Sequence, residues 1–289
     1  MSNILFNLSG KIDQYTIAAL SAVKRAADSL NIRFFVIGAT ARDLILRYCY
    51  GIEPPRMTRD IDIGVEVAGW EEFQQLTKAL TETGEFVPAK EPHRFLFGLL
   101  RIDIVPFGSI SDKNMRISWP PEHEIFMSLA GFEEAYKYSI TVRLSSDPDL
   151  FIKLPTLAGL AIMKLISWKN GYPERGRDAE DLFFIMRKYE EAGNTERLYT
   201  EEQGLLEEEG FDTDSAGARL LGHDMASIAN PDTLNAIIGI LGSETGEHPR
   251  YGLIYDMIRG VPGFSDDFEK TLRLVEKLKQ GIEGRRRQL

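Results

Sequence analysis

Thr58-Arg59-Asp60-Ile61-Asp62-Ile63-Gly64-Val65 decides how this chain is read. Asp60 and Asp62 stand two apart in an apolar run, and strand side chains alternate between faces. Both carboxylates therefore project from one side, with Ile61 and Ile63 turned the other way into a core. Two like charges side by side repel. The arrangement either supplies oxygen ligands to a divalent cation or is a solvated strand face near a turn.

Upstream, Arg33-Phe34-Phe35-Val36-Ile37 has the composition of a buried strand and runs into Gly38-Ala39-Thr40-Ala41-Arg42-Asp43, which opens a helix through Leu44, Ile45 and Leu46. A strand, a glycine turn and a helix start offer backbone N–H groups and a dipole to a phosphate. The pattern is neither a P-loop nor a dinucleotide fingerprint, and it also suits a plain turn. An amphipathic helix over Asp13 to Asn31 precedes it, and an exposed connection with Pro54 and Pro55 leads on to Asp60.

Downstream, the Asp60 strand continues to Val67, and Phe73, Leu76 and Leu80 mark a second amphipathic helix over Glu71 to Thr83. After an extended piece at Phe86-Val87 and a run from Arg94 to Leu100, Arg101-Ile102-Asp103-Ile104-Val105 alternates as a strand. Asp103 is a lone acid there. Burial without a partner is costly, so it either meets a cation or sits at an edge. Trp119-Pro120-Pro121 marks a loop, and Ile125 to Leu144 reads as mixed extended structure with a helical turn at Glu133 to Tyr136.

The polar patch Ser145-Ser146-Asp147-Pro148-Asp149 suits a domain boundary, giving an α+β unit over 1–149 and a helical one over 150–289. Leu150 to Leu154 reads as a last strand. Thr156 to Trp168 is then apolar almost all round, interrupted by Lys164, which either snorkels to the surface or reaches a phosphate. In the next helix Asp178 and Asp181 are neighbours on one face near its start, where negative charge suits the dipole. Glu190 to Gly210 is an acidic, solvated helix pair. Amphipathic segments follow over Ser215 to Ile228, Pro231 to Leu241 and Asp266 to Gln280, and Arg285-Arg286-Arg287 forms a short basic tail.

Bulk composition narrows the function classes. With 289 residues, 43% hydrophobic and 27% charged, the chain can bury a sizeable core. No apolar run approaches the roughly 18 residues of a spanning helix. Met1-Ser2-Asn3-Ile4 lacks the basic start of a signal peptide, which makes the cytoplasm the expected compartment. One cysteine and four histidines provide neither a disulfide nor zinc spacing. A net charge of -10 argues against nonspecific coating of nucleic acid, so a polyanionic substrate is expected to arrive with metal help.

Taken together, Gly38-Ala39-Thr40, then Asp60-Ile61-Asp62, then Asp103 resemble the core of the polymerase-β-like nucleotidyltransferase superfamily. There a Gly-Gly or Gly-Ser turn precedes D-x-D and a later third acid. Lys164-Leu165 and Arg177-Asp178-Ala179-Glu180-Asp181-Leu182 resemble signatures of the AbiEii/AbiGii toxin family, as do Ile102 to Gly108 and Trp119-Pro120-Pro121. The resemblance runs from the Arg33 strand to the Asp181 helix and continues more weakly beyond.

It implies an α+β nucleotidyltransferase sheet with flanking helices, followed by a helical domain. It also implies Mg²⁺-dependent transfer of a nucleotide from a nucleoside triphosphate to an RNA or protein acceptor, without a membrane. Asp60, Asp62 and Asp103 would hold two Mg²⁺ ions, while Gly38, Ala39 and Thr40 contact the triphosphate. Lys164 would reach the phosphates or the acceptor, and Asp178 and Asp181 would serve the nucleotide from the helical domain. Such proteins often act as toxins beside an antitoxin protein, and some modify transfer RNA ends.

Three departures bear on this, one of them a gap from the Gly38 turn to Asp60-Ile61-Asp62 that is long for the simplest members. Ala39 replaces the second Gly or Ser and loses a hydroxyl, keeping only its backbone N–H. Arg42-Asp43 leans toward the CCA-adding and poly(A) polymerase branch, where the arginine assists the triphosphate, although no downstream template-like motif accompanies it. An inactivated, ligand-binding version of the scaffold is the remaining alternative.

Overall fold

A computed structural model describes residues 5–259 and 264–286, so Met1 to Ile4 and Arg287 of the basic tail lie outside the described residues. The chain forms two compact units, Met1–Thr156 and Leu157–Leu289.

The first unit runs β1 (Leu5–Asn7), α1 (Gln14–Ser29), β2 (Arg33–Ile37), α2 (Gly38–Asp43), β3 (Ile61–Glu66), α3 (Trp70–Glu82), β4 (Phe86–Pro88), β5 (Arg94–Phe97) and β6 (Leu100–Phe107). It continues with β7 (Arg116–Ser118), β8 (Phe126–Ser128), α4 (Phe132–Lys137), β9 (Ile140–Ser146) and β10 (Asp149–Leu154). A five-stranded sheet has the order β2-β3-β6-β5-β4. Only its central pair, β3 and β6, is parallel; the neighbouring pairs are antiparallel. A parallel pair needs a long crossover, here supplied by α3, β4 and β5.

Alternation along the central strands separates two faces. Ile61, Ile63, Ile102 and Ile104, all buried, share one. Asp62, Gly64, Asp103 and Val105 share the other. On that second face Phe35 stands opposite Gly64 in register, and a side chain at Gly64 would run into the Phe35 ring at 2.4 Å. Phe35 thus lies across the sheet and packs edge-on against Phe107, Phe132 and Tyr136, so that α4 covers this part of the face. The acids occupy the remainder.

The polar patch Ser145–Asp149 is the turn of the β9–β10 hairpin, which joins β1 in a separate three-stranded sheet. A Pro-containing polar run suits a turn as well as a linker, and the unit break falls seven residues further on, after Thr156.

The second unit is helical: α5 (Leu157–Asn170), α6 (Gly176–Lys188), α7 (Thr195–Tyr199), α8 (Gln203–Glu208), α9 (Thr213–Ile228), α10 (Pro231–Thr245), α11 (Gly252–Met257) and α12 (Phe264–Arg286). Its centre is α5, buried through Leu160, Ile162, Leu165 and Trp168. The Trp168 indole N–H donates to Asp256 of α11 at 2.9 Å. Among the described residues no helix is long and apolar enough to cross a membrane.

Candidate functional site

Asp62 and Asp103 are direct register partners on β3 and β6, so neighbouring strands carry their carboxylates abreast on one face. Asp60 lies just before β3, with its side chain 42% exposed. Like charges so placed are unfavourable unless countered. The nearest counter-charges are arginines. Arg94, the register partner of Asp103 on β5, forks both carboxylate oxygens at 2.8 and 3.0 Å. This is the bidentate geometry of a strong charge-assisted pair, and the hydrogen bonds to Asp103 raise the Arg94 pKa above its ordinary value. Arg101 reaches Asp60 Oδ2 at 3.4 Å.

Gly38 closes the third side. Its φ is +66°, and a Cβ there would stand 2.1 Å from Asp62 Oδ2. Glycine is required twice over, for the left-handed backbone and for the space the Asp62 carboxylate takes. The Gly38 backbone and Asp62 are thereby held against each other.

The donor set suits Mg²⁺ in kind, because every acid at this edge offers hard oxygen and none is accompanied by thiolate or imidazole. Among the described residues no three such side chains already close on a common point. The acids lie on and just before the central strands β3 and β6, each beside its own cation or glycine.

Thr40 and Arg42 sit differently from the sequence expectation. The Thr40 hydroxyl donates to the Asp60 carbonyl oxygen. Arg42 is fully buried; its guanidinium pairs with Asp43 and donates to the Arg56 carbonyl at 2.8 Å. Sealed in this way, the Arg42 guanidinium meets its own chain at Asp43 and the Arg56 carbonyl. The reason is tertiary: the loop before β3 folds back over α2 and covers it.

Lys164, Asp178 and Asp181 come together in the second unit. Lys164 Nζ lies 2.7 Å from Asp178 Oδ1 and 2.7 Å from Asp181 Oδ2, and all three residues are buried. The Ser167 hydroxyl donates to Asp178 at 2.8 Å. Lys164 does not snorkel to the surface; its ammonium ends between two carboxylates of α6. Burial pushes the Lys164 ammonium pKa down, but the two aspartates outweigh it and the net direction is upward. Burial likewise pushes Asp178 up, and Lys164, with Arg175 and the Ser167 hydroxyl, more than reverses this.

Arg94 and Arg101 escaped the sequence reading. Arg94 could have been found by counting: Gly98-Leu99 makes a two-residue turn between β5 and β6, and stepping back from it sets Arg94 opposite Asp103. Arg101 carries no comparable signal.

Residues 20–235 match the family described as nucleotidyl transferase AbiEii toxin, type IV toxin–antitoxin system. No curated protein matches the chain. Among solved structures, the antibiotic-resistance factor ANT(2'')-Ia in solution is 13% identical, over 69% of this chain and 98% of that one, with a TM-score of 0.36. A CCA-adding enzyme in complex with ATP is 17% identical, over 93% of this chain and 70% of that one, with a TM-score of 0.31. The Thermotoga maritima CCA-adding enzyme complexed with tRNA is 14% identical, over 96% and 83%, with a TM-score of 0.28. At these identities and scores, family membership rests on the match over residues 20–235.

Proposed function

Because this chain belongs to the AbiEii nucleotidyl transferase toxin family, we propose that the edge formed by Asp60, Asp62 and Asp103 binds Mg²⁺ and a nucleoside triphosphate and transfers the nucleotide to an RNA or protein acceptor. The observation that carries this reading is the register of Asp62 with Asp103, closed by the Gly38 backbone. Carboxylates abreast on adjacent strands are unfavourable by themselves and become favourable beside a divalent cation.

When bound, Mg²⁺ supplies charge neutralisation to the triphosphate and to the entering and leaving oxygens of an in-line displacement. Asp60, Asp62 and Asp103 would hold it. The acceptor hydroxyl oxygen forms a bond to the α-phosphorus, the bond from that phosphorus to the bridging oxygen breaks, and pyrophosphate leaves. Asp103 provides a carboxylate base for the acceptor proton, with Arg94 fixing its plane. Gly38 and Ala39 meet the triphosphate through their backbone, since neither brings a polar side chain. Most of the catalysis in such a site is positioning and electrostatics.

The family also bears on biology. A toxin acting on RNA, transfer RNA included, with an antitoxin protein to restrain it, is the form of the function we favour. The test is incubation with labelled nucleoside triphosphates, Mg²⁺ and either total RNA or total protein, beside an Asp60→Ala, Asp62→Ala variant. Label should pass to one acceptor class and vanish in the variant. Transfer that survives loss of both acids overturns the site; no transfer by the intact protein favours a ligand-binding module. Growth arrest on expression, absent with the variant, is the result the toxin role requires.

A further inference from the structure

The loop from Gly51 to Asp60 has no regular secondary structure, yet it delivers Asp60 to the site. Three side chains of α2 grip it at alternate residues. Arg42 Nη2 donates to the Arg56 carbonyl at 2.8 Å. The Thr58 N–H donates to Asp43 Oδ2 at 3.2 Å. The Thr40 hydroxyl donates to the Asp60 carbonyl, and the Asp60 N–H donates back to the Thr58 hydroxyl at 3.3 Å. The loop thus receives from side chains what a strand receives from a neighbouring strand: a partner at residues 56, 58 and 60.

Placing a charge where Arg42 lies is unfavourable unless it is paired and hydrogen-bonded, and Asp43 meets that need. A buried ion pair adds little net stability compared with apolar side chains of the same volume. Its distinctive product here is geometry, because each member has a second contact and both of those contacts are loop backbone. The contacts shown run to the Arg56 carbonyl, the Thr58 N–H and, through Thr40, the Asp60 carbonyl, so the grip acts on the segment that ends at Asp60.

We infer that Arg42 and Asp43, with Thr40, are positioning residues: they form a buried clamp that fixes the loop from Arg56 to Asp60 and so sets the Asp60 carboxylate for the cation. This rests on the nucleotidyl-transfer reading for what Asp60 does, and stands apart from it for how Asp60 is held. It also reassigns Arg42 and Thr40 from the triphosphate to the chain itself.

The test uses the whole protein and two variants. In Arg42→Met, Asp43→Leu the pair is replaced by apolar groups of similar bulk, which keeps the site filled and leaves no charge stranded. Thr40→Val removes one hydroxyl only and serves if the double variant does not fold. Three quantities are read: hydrogen exchange of amides 56–60, Mn²⁺ binding by the protein without nucleotide, and kcat against KM for the triphosphate.

The clamp predicts faster exchange at Thr58 and Asp60, with Mn²⁺ affinity and kcat each about 10- to 100-fold lower, the usual cost of losing groups that orient a ligand. KM for the triphosphate should stay within about 3-fold, since uniform binding is not removed. Unchanged exchange overturns the clamp. Faster exchange with unchanged Mn²⁺ affinity overturns the positioning role. A raised KM with kcat intact returns Arg42 to the triphosphate and overturns the inference as well. If the parent protein binds no Mn²⁺ and transfers no nucleotide, the proposed function fails, and exchange alone then decides whether the clamp exists.

Discussion

Two groups of aspartates in this molecule have opposite surroundings. At the first, Asp62 and Asp103 stand on one face of the central strands β3 and β6 and Asp60 just before β3, met by arginines that are themselves part-exposed. At the second, Asp178 and Asp181 close on Lys164 inside a helical unit, where all three are buried. The chemistry of the side chains is the same. What differs is whether the counter-charge can be exchanged. Arg101, half-exposed beside Asp60, can give way to a cation from solution, whereas a lysine sealed between two acids cannot without opening the fold. The open group is therefore suited to ligands and the sealed group to structure, a contrast the following changes should break or sharpen.

The largest effect belongs to the open group. Asp60→Ala, Asp62→Ala should lower transfer by about 10⁴-fold, equivalent to roughly 5.5 kcal/mol of barrier. Its unfolding midpoint in urea should hold or rise, because like-charge repulsion at the edge is relieved. A fall in stability as large as the fall in activity would mean that these acids are structural after all, and the contrast would collapse.

The sealed group should respond the other way round. Lys164→Met removes the buried ammonium from between Asp178 and Asp181 and leaves the part-exposed Arg175 at 3.3 Å from Asp178, a change of up to about 3–5 kcal/mol in stability. The pH dependence gives the sign. Asp178 is held below its usual 3.8 in the folded protein, so its contribution is present above 3.8 and fades as pH falls through the folded value. Lys164 is held above its usual 10.5, so its contribution is complete below 10.5 and fades as pH rises through the folded value. Urea denaturation of the parent should thus show a plateau between these limits. In Lys164→Met the largest influence holding Asp178 down is gone, and the variant should lose less stability on acidification than the parent does. A variant that follows the parent's acid limb would show that Lys164 is not the partner that matters.

The open group was largely legible in the sequence and the sealed one was not, for physical reasons. Asp60-Ile61-Asp62 declares itself through the two-residue period of a strand, and Gly38 through its place at the end of an apolar run; both signals are local. That Asp103 stands abreast of Asp62 depends on the parallel pairing of β3 with β6, which is set across a long crossover and leaves no local mark. Lys164 in an apolar helix offered two readings, snorkelling or ligand contact. The actual one needs a neighbouring helix to bring two acids to it. Arg42 followed a substrate-like pattern and is buried because a structureless loop returns over it. At β1 three residues are too few to show any period.

The smallest effect expected tests exchangeability itself. Arg101 and Asp60 meet at 3.4 Å with side chains 45% and 42% exposed. Pairs so exposed are screened by water and salt, and their removal typically changes stability by less than about 1 kcal/mol. Arg101→Ala should therefore leave the urea midpoint nearly where it was. Metal affinity should still move, because the guanidinium and a divalent cation compete for the same carboxylate. Without Arg101, Mn²⁺ should bind the nucleotide-free protein roughly 2- to 3-fold more tightly at low salt, with the gain shrinking as salt screens the lost charge. Weaker Mn²⁺ binding in the variant would mean that Arg101 supports the site instead of holding its place, and that the open group is held by fixed partners as the sealed one is.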